Sequence, residues 1–155
     1  MQFTSTFALL ASTLSVIPAM AMALSVRQPS GSVFNYDTRY DDPNGLLSTT
    51  ACSANAGVLE GHNTFGSIPT FPHIAGSIVV EGFNSTNCGG CYRLFYDRKD
   101  GSEPAGIPFT VINSDPKGFT SSVQSLKDLT GFDVENFPGD VPIVYEELPS
   151  YFCGF

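Results

Sequence analysis

Basic side chains are scarce in this sequence of 155 residues: seven Lys and Arg stand against fifteen Asp and Glu, a formal net charge of −8. A surface built to neutralise phosphates needs the opposite balance, which excludes nucleic acid and anionic membrane surfaces as natural partners. Charge of either sign is sparse, at 14% of residues. Histidine occurs only as His62 and His73, and tryptophan is absent. Beyond Ala23 no apolar run is long enough to span a bilayer, so no membrane anchor is expected there. The length allows one domain with a real core and leaves no room for two.

Turn-forming residues, by contrast, are plentiful. Fifteen Gly and eleven Pro argue against a helical bundle, since both interrupt long helices. Short strand-like runs separated by turn residues fall at Val33–Tyr36, Ile78–Val80, Tyr92–Tyr96, Phe109–Ile112 and Ile143–Tyr145. Asp41-Asp42-Pro43-Asn44-Gly45 reads as a turn, because Pro presets φ and Asn-Gly accepts φ > 0. One helix is expected over Ser122–Leu129, capped by Thr120 or Ser121 and stopped at Gly131, with Val123, Leu126 and Leu129 on one face. Several short strands with one minor helix suggest a compact β-barrel.

Residues 1–23 carry no charged side chain. An apolar run from Phe7 to Ile17 leads to Pro18 and then to Ala19-Met20-Ala21-Met22-Ala23, which offers small-x-small cleavage after Ala21 or Ala23. The segment is expected to be a secretion signal, leaving 24–155 as one exported domain. Export makes the four cysteines, Cys52, Cys88, Cys91 and Cys153, a disulfide set with three possible connectivities. Cys88-Gly89-Gly90-Cys91 precedes a strand-like run rather than opening a helix, which disfavours a redox motif. The two histidines lie far from any cysteine pair, so no zinc knuckle is expected.

A set of ordered motifs resembles the cerato-platanin family of small secreted fungal proteins. It comprises Tyr36-Asp37-Thr38-Arg39-Tyr40, Ala51-Cys52-Ser53 and Phe65-Gly66-Ser67-Ile68-Pro69-Thr70-Phe71-Pro72. Gly82-Phe83-Asn84-Ser85, Cys88-Gly89-Gly90-Cys91-Tyr92, Gly118-Phe119 and Cys153-Gly154 follow in order. The resemblance implies an all-β fold with a minor helix, a six-stranded double-psi β-barrel like the first domain of expansins. It implies the disulfides Cys52–Cys88 and Cys91–Cys153. It further implies a wall-associated protein that binds chitin-type oligosaccharides in a shallow groove, loosens polysaccharide assemblies and elicits plant defence, with plant surface receptors as further partners. Two departures stand out. The family commonly has Trp where this chain has Phe83 and Tyr92, and a strand that usually ends in Asp ends here in Ile112-Asn113-Ser114.

Motif position makes Tyr40, Ser53, Asn55, Tyr92, Asn113 and Ser114 the candidate carbohydrate-binding residues: polar groups for sugar hydroxyls, and rings for the pyranose face. No catalytic residue, metal or cofactor is expected. Glycoside hydrolysis needs two carboxyl groups flanking the scissile bond. The available ones are Asp37, Asp41, Asp42, Asp115 and the pair Glu146-Glu147. Asp41-Asp42 reads as a solvated turn pair, adjacent glutamates on a strand point to opposite faces, and Asn113 cannot titrate. The favoured expectation is therefore a non-catalytic protein that binds neutral wall glycans, extracellular or in the fungal cell wall, and monomeric with some self-association. The alternatives are a surface-active, self-assembling protein, to which an exposed Tyr151-Phe152 and Phe155 would contribute, and a weak endoglucanase-like hydrolase. Asn84-Ser85-Thr86 is the one glycosylation sequon.

Overall fold

A computed structural model of the chain describes residues 28–53, 56–101, 103–104 and 106–155. The expected signal segment, with its cleavage options, and Asn55 lie outside the described residues. Six strands form the fold: β1 (Gln28–Tyr36), β2 (Ile74–Ser77), β3 (Cys91–Phe95), β4 (Gly106–Ser114), β5 (Gly118–Ser121) and β6 (Val141–Leu148). They close into a barrel in the order β1-β5-β2-β4-β3-β6. The pairs β1–β5 and β2–β4 are parallel, and the other four are antiparallel. Closure leaves none of these six strands with an edge free to pair with another chain. This is the six-stranded mixed barrel with one helix that the resemblance implied.

Aromatic and branched side chains fill the interior. Phe34, Phe109, Phe119 and Leu94 are fully buried, and Phe34 meets Phe109 edge-on at 6.0 Å. Strand β4 is buried along Phe109-Thr110-Val111-Ile112, as a strand covered on both sides should be. Its register against β2 skips Ile112, because Ala75 pairs with Val111 but Gly76 pairs with Asn113. This bulge turns two successive carbonyls toward the loops: Val111 O accepts from Gly89 N at 2.9 Å and Ile112 O from Cys52 N at 3.2 Å. Both shoulders of one disulfide thus hang on a single strand.

The disulfides are Cys52–Cys88 and Cys91–Cys153, with Cα separations of 5.4 and 5.8 Å. Each partner of the Cys88/Cys91 pair therefore reaches a distant cysteine. Cys153 closes a 3-10 helix, Ser150–Cys153, and pins the C-terminal tail onto the start of β3, where Cys91, Leu148 and Cys153 form a small second cluster.

Helix α1 runs Val123–Thr130 with Gly131 as its left-handed C-cap. Its N-cap is Ser122, whose hydroxyl accepts from Ser125 N at 2.9 Å, one or two residues later than the sequence suggested. Thr120 and Ser121 are unavailable as caps because β5 pairs them with β1 and β2.

Three other expectations change. Ile78–Val80 is a turn, and the strand lies upstream at Ile74–Ser77. Asp41 is not a solvated turn residue: its carboxylate accepts from Val123 N at 3.0 and 3.2 Å and so supplements the cap of α1. The turn at Asp42 does form, with Gly45 N donating to Asp42 O at 3.0 Å. Glycine is needed there for space rather than for positive φ, since a Cβ at Gly45 would stand 2.5 Å from the Phe65 ring.

Candidate functional site

The end of β4 and the two loops that lean on it bring together part of the expected constellation. Asn113 is half-buried, and its Oδ1 accepts from Ala51 N at 2.8 Å. A backbone N–H can only donate, which fixes the amide oxygen toward Ala51 and leaves the NH2 to donate to the Tyr40 hydroxyl at 3.3 Å. Ser114, next along the strand, is exposed.

Tyr40 arrives from the 3-10 helix Thr38–Asp41, which Asp37 caps by accepting from Arg39 N at 2.9 Å. Its ring is buried, stacked on Phe65 at 6.0 Å with the Arg39 guanidinium 5.5 Å from its centroid. Burial pushes the Tyr40 hydroxyl above the ordinary phenol pKa, against the opposing pull of Asn113 and Arg39, so the group is neutral at physiological pH. Gly76 makes room for it: a Cβ there would sit 2.7 Å from the hydroxyl and 3.3 Å from Ser114 O.

The other expected residues lie elsewhere. Ser53 is half-buried and lines a recess of about 190 Å³ with Leu46, Leu47, Ser48, His62 and Asn63. Tyr92 belongs to the barrel interior, 5% exposed, 6.3 Å from the Phe119 ring and 6.1 Å from that of Tyr145. It pairs with Phe109, and strand rise puts Asn113 about 13 Å further along β4. Its hydroxyl is pushed up to about 12, first by burial and then by Glu147 and Tyr145. Neither Tyr40 nor Tyr92 offers a free ring face to solvent. The ring-contact role expected of them is corrected accordingly: both rings are spent on packing.

Among the described residues the exposed aromatic rings are Phe83 at 75%, Tyr151 at 66% and Phe152 at 44%. Exposure of Tyr151 and Phe152 is the condition that the surface-active alternative sets. They stand out, their centroids 4.5 Å apart, with Arg93 5.4 Å from the Phe152 centroid. Arg93 is itself held by Glu146 at 3.3 Å. The pair borders an open groove of about 460 Å³ floored by Pro69, Phe71, Pro72 and Pro108. Phe155 alone turns inward, edge-on to His62 at 5.6 Å.

Most of the candidate carboxylates have structural partners. Asp37, Asp42 and Asp115 accept from the backbone N–H two residues on, Asp41 caps α1, and Asp115 also accepts from the Thr120 hydroxyl. Glu146 pairs with Arg93 while Glu147 stands opposite Tyr92, on the other face of β6. His62 Nδ1 lies 2.6 Å from Ser67 O, and His73 Nε2 lies 3.0 Å from Asp128 Oδ2. That last pair joins residues 55 positions apart and had no signal in the sequence. Among the described residues no cluster of three or more His, Cys, Asp or Glu is placed to hold a metal ion, and no helix is long and apolar enough to cross a membrane.

Comparison with known proteins gives a consistent answer. The family model described as Cerato-platanin matches residues 32–155. The chain is 36% identical over 148 residues to the heat-stable 19 kDa antigen of Coccidioides immitis, covering 90% of this chain and 97% of that one. It is 36% identical over 121 residues to the allergen Asp f 15 of Aspergillus fumigatus, covering 77% and 74%. Among solved structures, cerato-platanin 1 from M. perniciosa superposes with a TM-score of 0.69 at 35% identity, covering 79% of this chain and 99% of that one.

Proposed function

The chain belongs to the cerato-platanin family, and from that premise we propose that it is an exported, non-catalytic protein that binds neutral, chitin-type oligosaccharides. Asn113 carries this reading. Beyond its bonds to Ala51 and Tyr40 the amide keeps a second N–H and a second oxygen lone pair, which suit sugar hydroxyls, and it cannot exchange a proton in catalysis. Ser114 is exposed beside it, and the neutral Tyr40 hydroxyl backs it. The structural bonds made by Asp37, Asp41, Asp42, Asp115 and Glu146 support the absence of an acid–base pair.

A net charge of −8 favours a neutral ligand over an anionic one. Loosening of packed polysaccharide follows if the face binds separated chains more tightly than packed ones, since only differential affinity shifts an equilibrium. The fungal wall is the natural location for such a protein, and a plant that senses it would respond to it as an elicitor. Incubating the pure protein with chitin and with cellulose tests the reading: oligosaccharide binding without new reducing ends is expected, and new reducing ends would refute it.

A second reading, surface activity with self-association, draws on the exposed Tyr151–Phe152 pair. Light scattering and surface tension, compared between the wild type and a Tyr151→Ser/Phe152→Ser variant, separate it from glycan binding.

A further inference from the structure

The loop between β2 and β3 holds two features that the proposed function leaves unused. One is the sequon Asn84-Ser85-Thr86. The other is Phe83, which at 75% is the most exposed large apolar side chain among the described residues. The fold presents this sequon openly. Asn84 and Thr86 are both exposed, in a turn closed by Ser85 N donating to Gly82 O at 3.2 Å and Cys88 N to Ser85 O at 3.0 Å.

Asn84 takes φ of 54°, a left-handed conformation that asparagine tolerates better than most residues. Its backbone N–H is tied to Ala51 O at 2.8 Å, while Asn87 secures the far side of the turn by donating to Val79 O at 2.7 Å. The turn is thus held by groups other than the exposed Thr86 side chain, and a bulky addition at Asn84 meets solvent rather than the core. Beside it lies a recess of about 250 Å³, lined by Asn84, Ser85, Thr86, Gly57 and the cysteines of the Cys52–Cys88 disulfide.

We infer that Asn84 is an N-linked glycosylation site whose first sugar lies against Phe83, an inference that rests on the export proposed above. The carboxamide nitrogen of Asn84 forms a bond to C1 of the reducing-end sugar of a lipid-pyrophosphate-linked oligosaccharide. The bond from C1 to the pyrophosphate oxygen breaks, the lipid pyrophosphate leaves with the electron pair, and the amide nitrogen gives up one proton. Asn-x-Thr is the acceptor pattern for this transfer. An exposed phenyl ring beside the attachment point then gains an apolar partner in the C–H face of the sugar, which accounts for a ring left 75% exposed.

The test is secretion of the full chain from a eukaryotic host, with intact mass measured on protein from the medium and from the cells, before and after peptide N-glycosidase F. Medium protein heavier than its polypeptide, falling to polypeptide mass on digestion, is expected. The excess should vanish in Asn84→Gln and Thr86→Ala and persist in Thr86→Ser. Because the Thr86 side chain is exposed, its variants test the sequon without disturbing the fold. Medium protein at bare polypeptide mass overturns the inference and leaves export standing. A chain retained in the cells at bare mass, with residues 1–23 still attached, overturns both. A glycan that survives Thr86→Ala places the modification elsewhere and also overturns the inference.

Discussion

Asn113 and Ala51 lie 62 positions apart, yet the side-chain oxygen of the first accepts the backbone N–H of the second at 2.8 Å. The same amide donates to the Tyr40 hydroxyl, so one side chain ties β4 to the loop of the first disulfide and to the segment after β1. Asn113→Ala leaves a half-buried N–H and a buried hydroxyl without this partner, and a loss of about 1–3 kcal/mol is expected in urea unfolding. Oligosaccharide affinity should fall with it. Asn113→Asp keeps the acceptor for Ala51 and lets Tyr40 donate instead, so its stability loss at neutral pH should be the smaller of the two. Equal losses in both variants would show that the hydrogen bond to Ala51 is unimportant.

Asp41 reaches across 82 positions to the first turn of α1, where Ser122 already caps Ser125. Helix α1 has only eight residues and depends on its ends and its packing. Asp41→Ala should cost about 0.5–2 kcal/mol in thermal or urea unfolding, the range for a lost N-terminal cap. Asp42→Ala, which loses only an exposed bond to Asn44, should cost less.

The barrel class, the turn at Asp42, the helix and its C-cap were legible before the fold was known, because each is written in local residue chemistry. Strand β2 was not. Ile74-Ala75-Gly76-Ser77 is buried on every residue, so it shows no alternation, and its Gly76 leaves room for the Tyr40 hydroxyl. The more apolar Ile78-Val79-Val80 drew the strand assignment although Ile78 is 42% exposed. At the candidate site, motif position points to Asn113, Ser114 and Tyr40, but the burial of the Tyr40 and Tyr92 rings is set by partners such as Phe65 and Phe119 from distant segments. The Asp41 cap and the His73–Asp128 pair were hidden for the same reason: nothing within a few residues of either announces its partner.

The two disulfides close loops of 36 and 62 positions. Restricting the unfolded chain in this way is worth roughly 4 kcal/mol for each in the chain-entropy model. The oxidised protein should tolerate heat and lose its cooperative transition at moderate temperature once reduced. Calorimetry with and without reductant measures this. Because Cys91–Cys153 holds the tail, a Cys91→Ala/Cys153→Ala variant should also release the Tyr151–Phe152 segment to proteolysis, whereas Cys52→Ala/Cys88→Ala should not.

Alkaline stability should report the interior phenols. Tyr92 ionises near 12 in the folded barrel against 10.0 for a free side chain, chiefly because burial opposes its charge. A phenol with a raised folded pKa contributes stability that is complete below pH 10 and is lost as pH rises toward the folded value. The loss approaches roughly 2–3 kcal/mol at the upper end. Burial shifts Tyr40 in the same direction and adds to the fall. Unfolding free energy measured from pH 9 upward should decline beyond 10, and Tyr92→Phe should make the decline shallower.

The decisive measurement titrates a chitin oligosaccharide into the pure protein in a calorimeter and recovers it afterwards for its mass. Saturable binding heat with the oligosaccharide returned at its original length is the predicted result. Shortened products that grow with incubation time would contradict it.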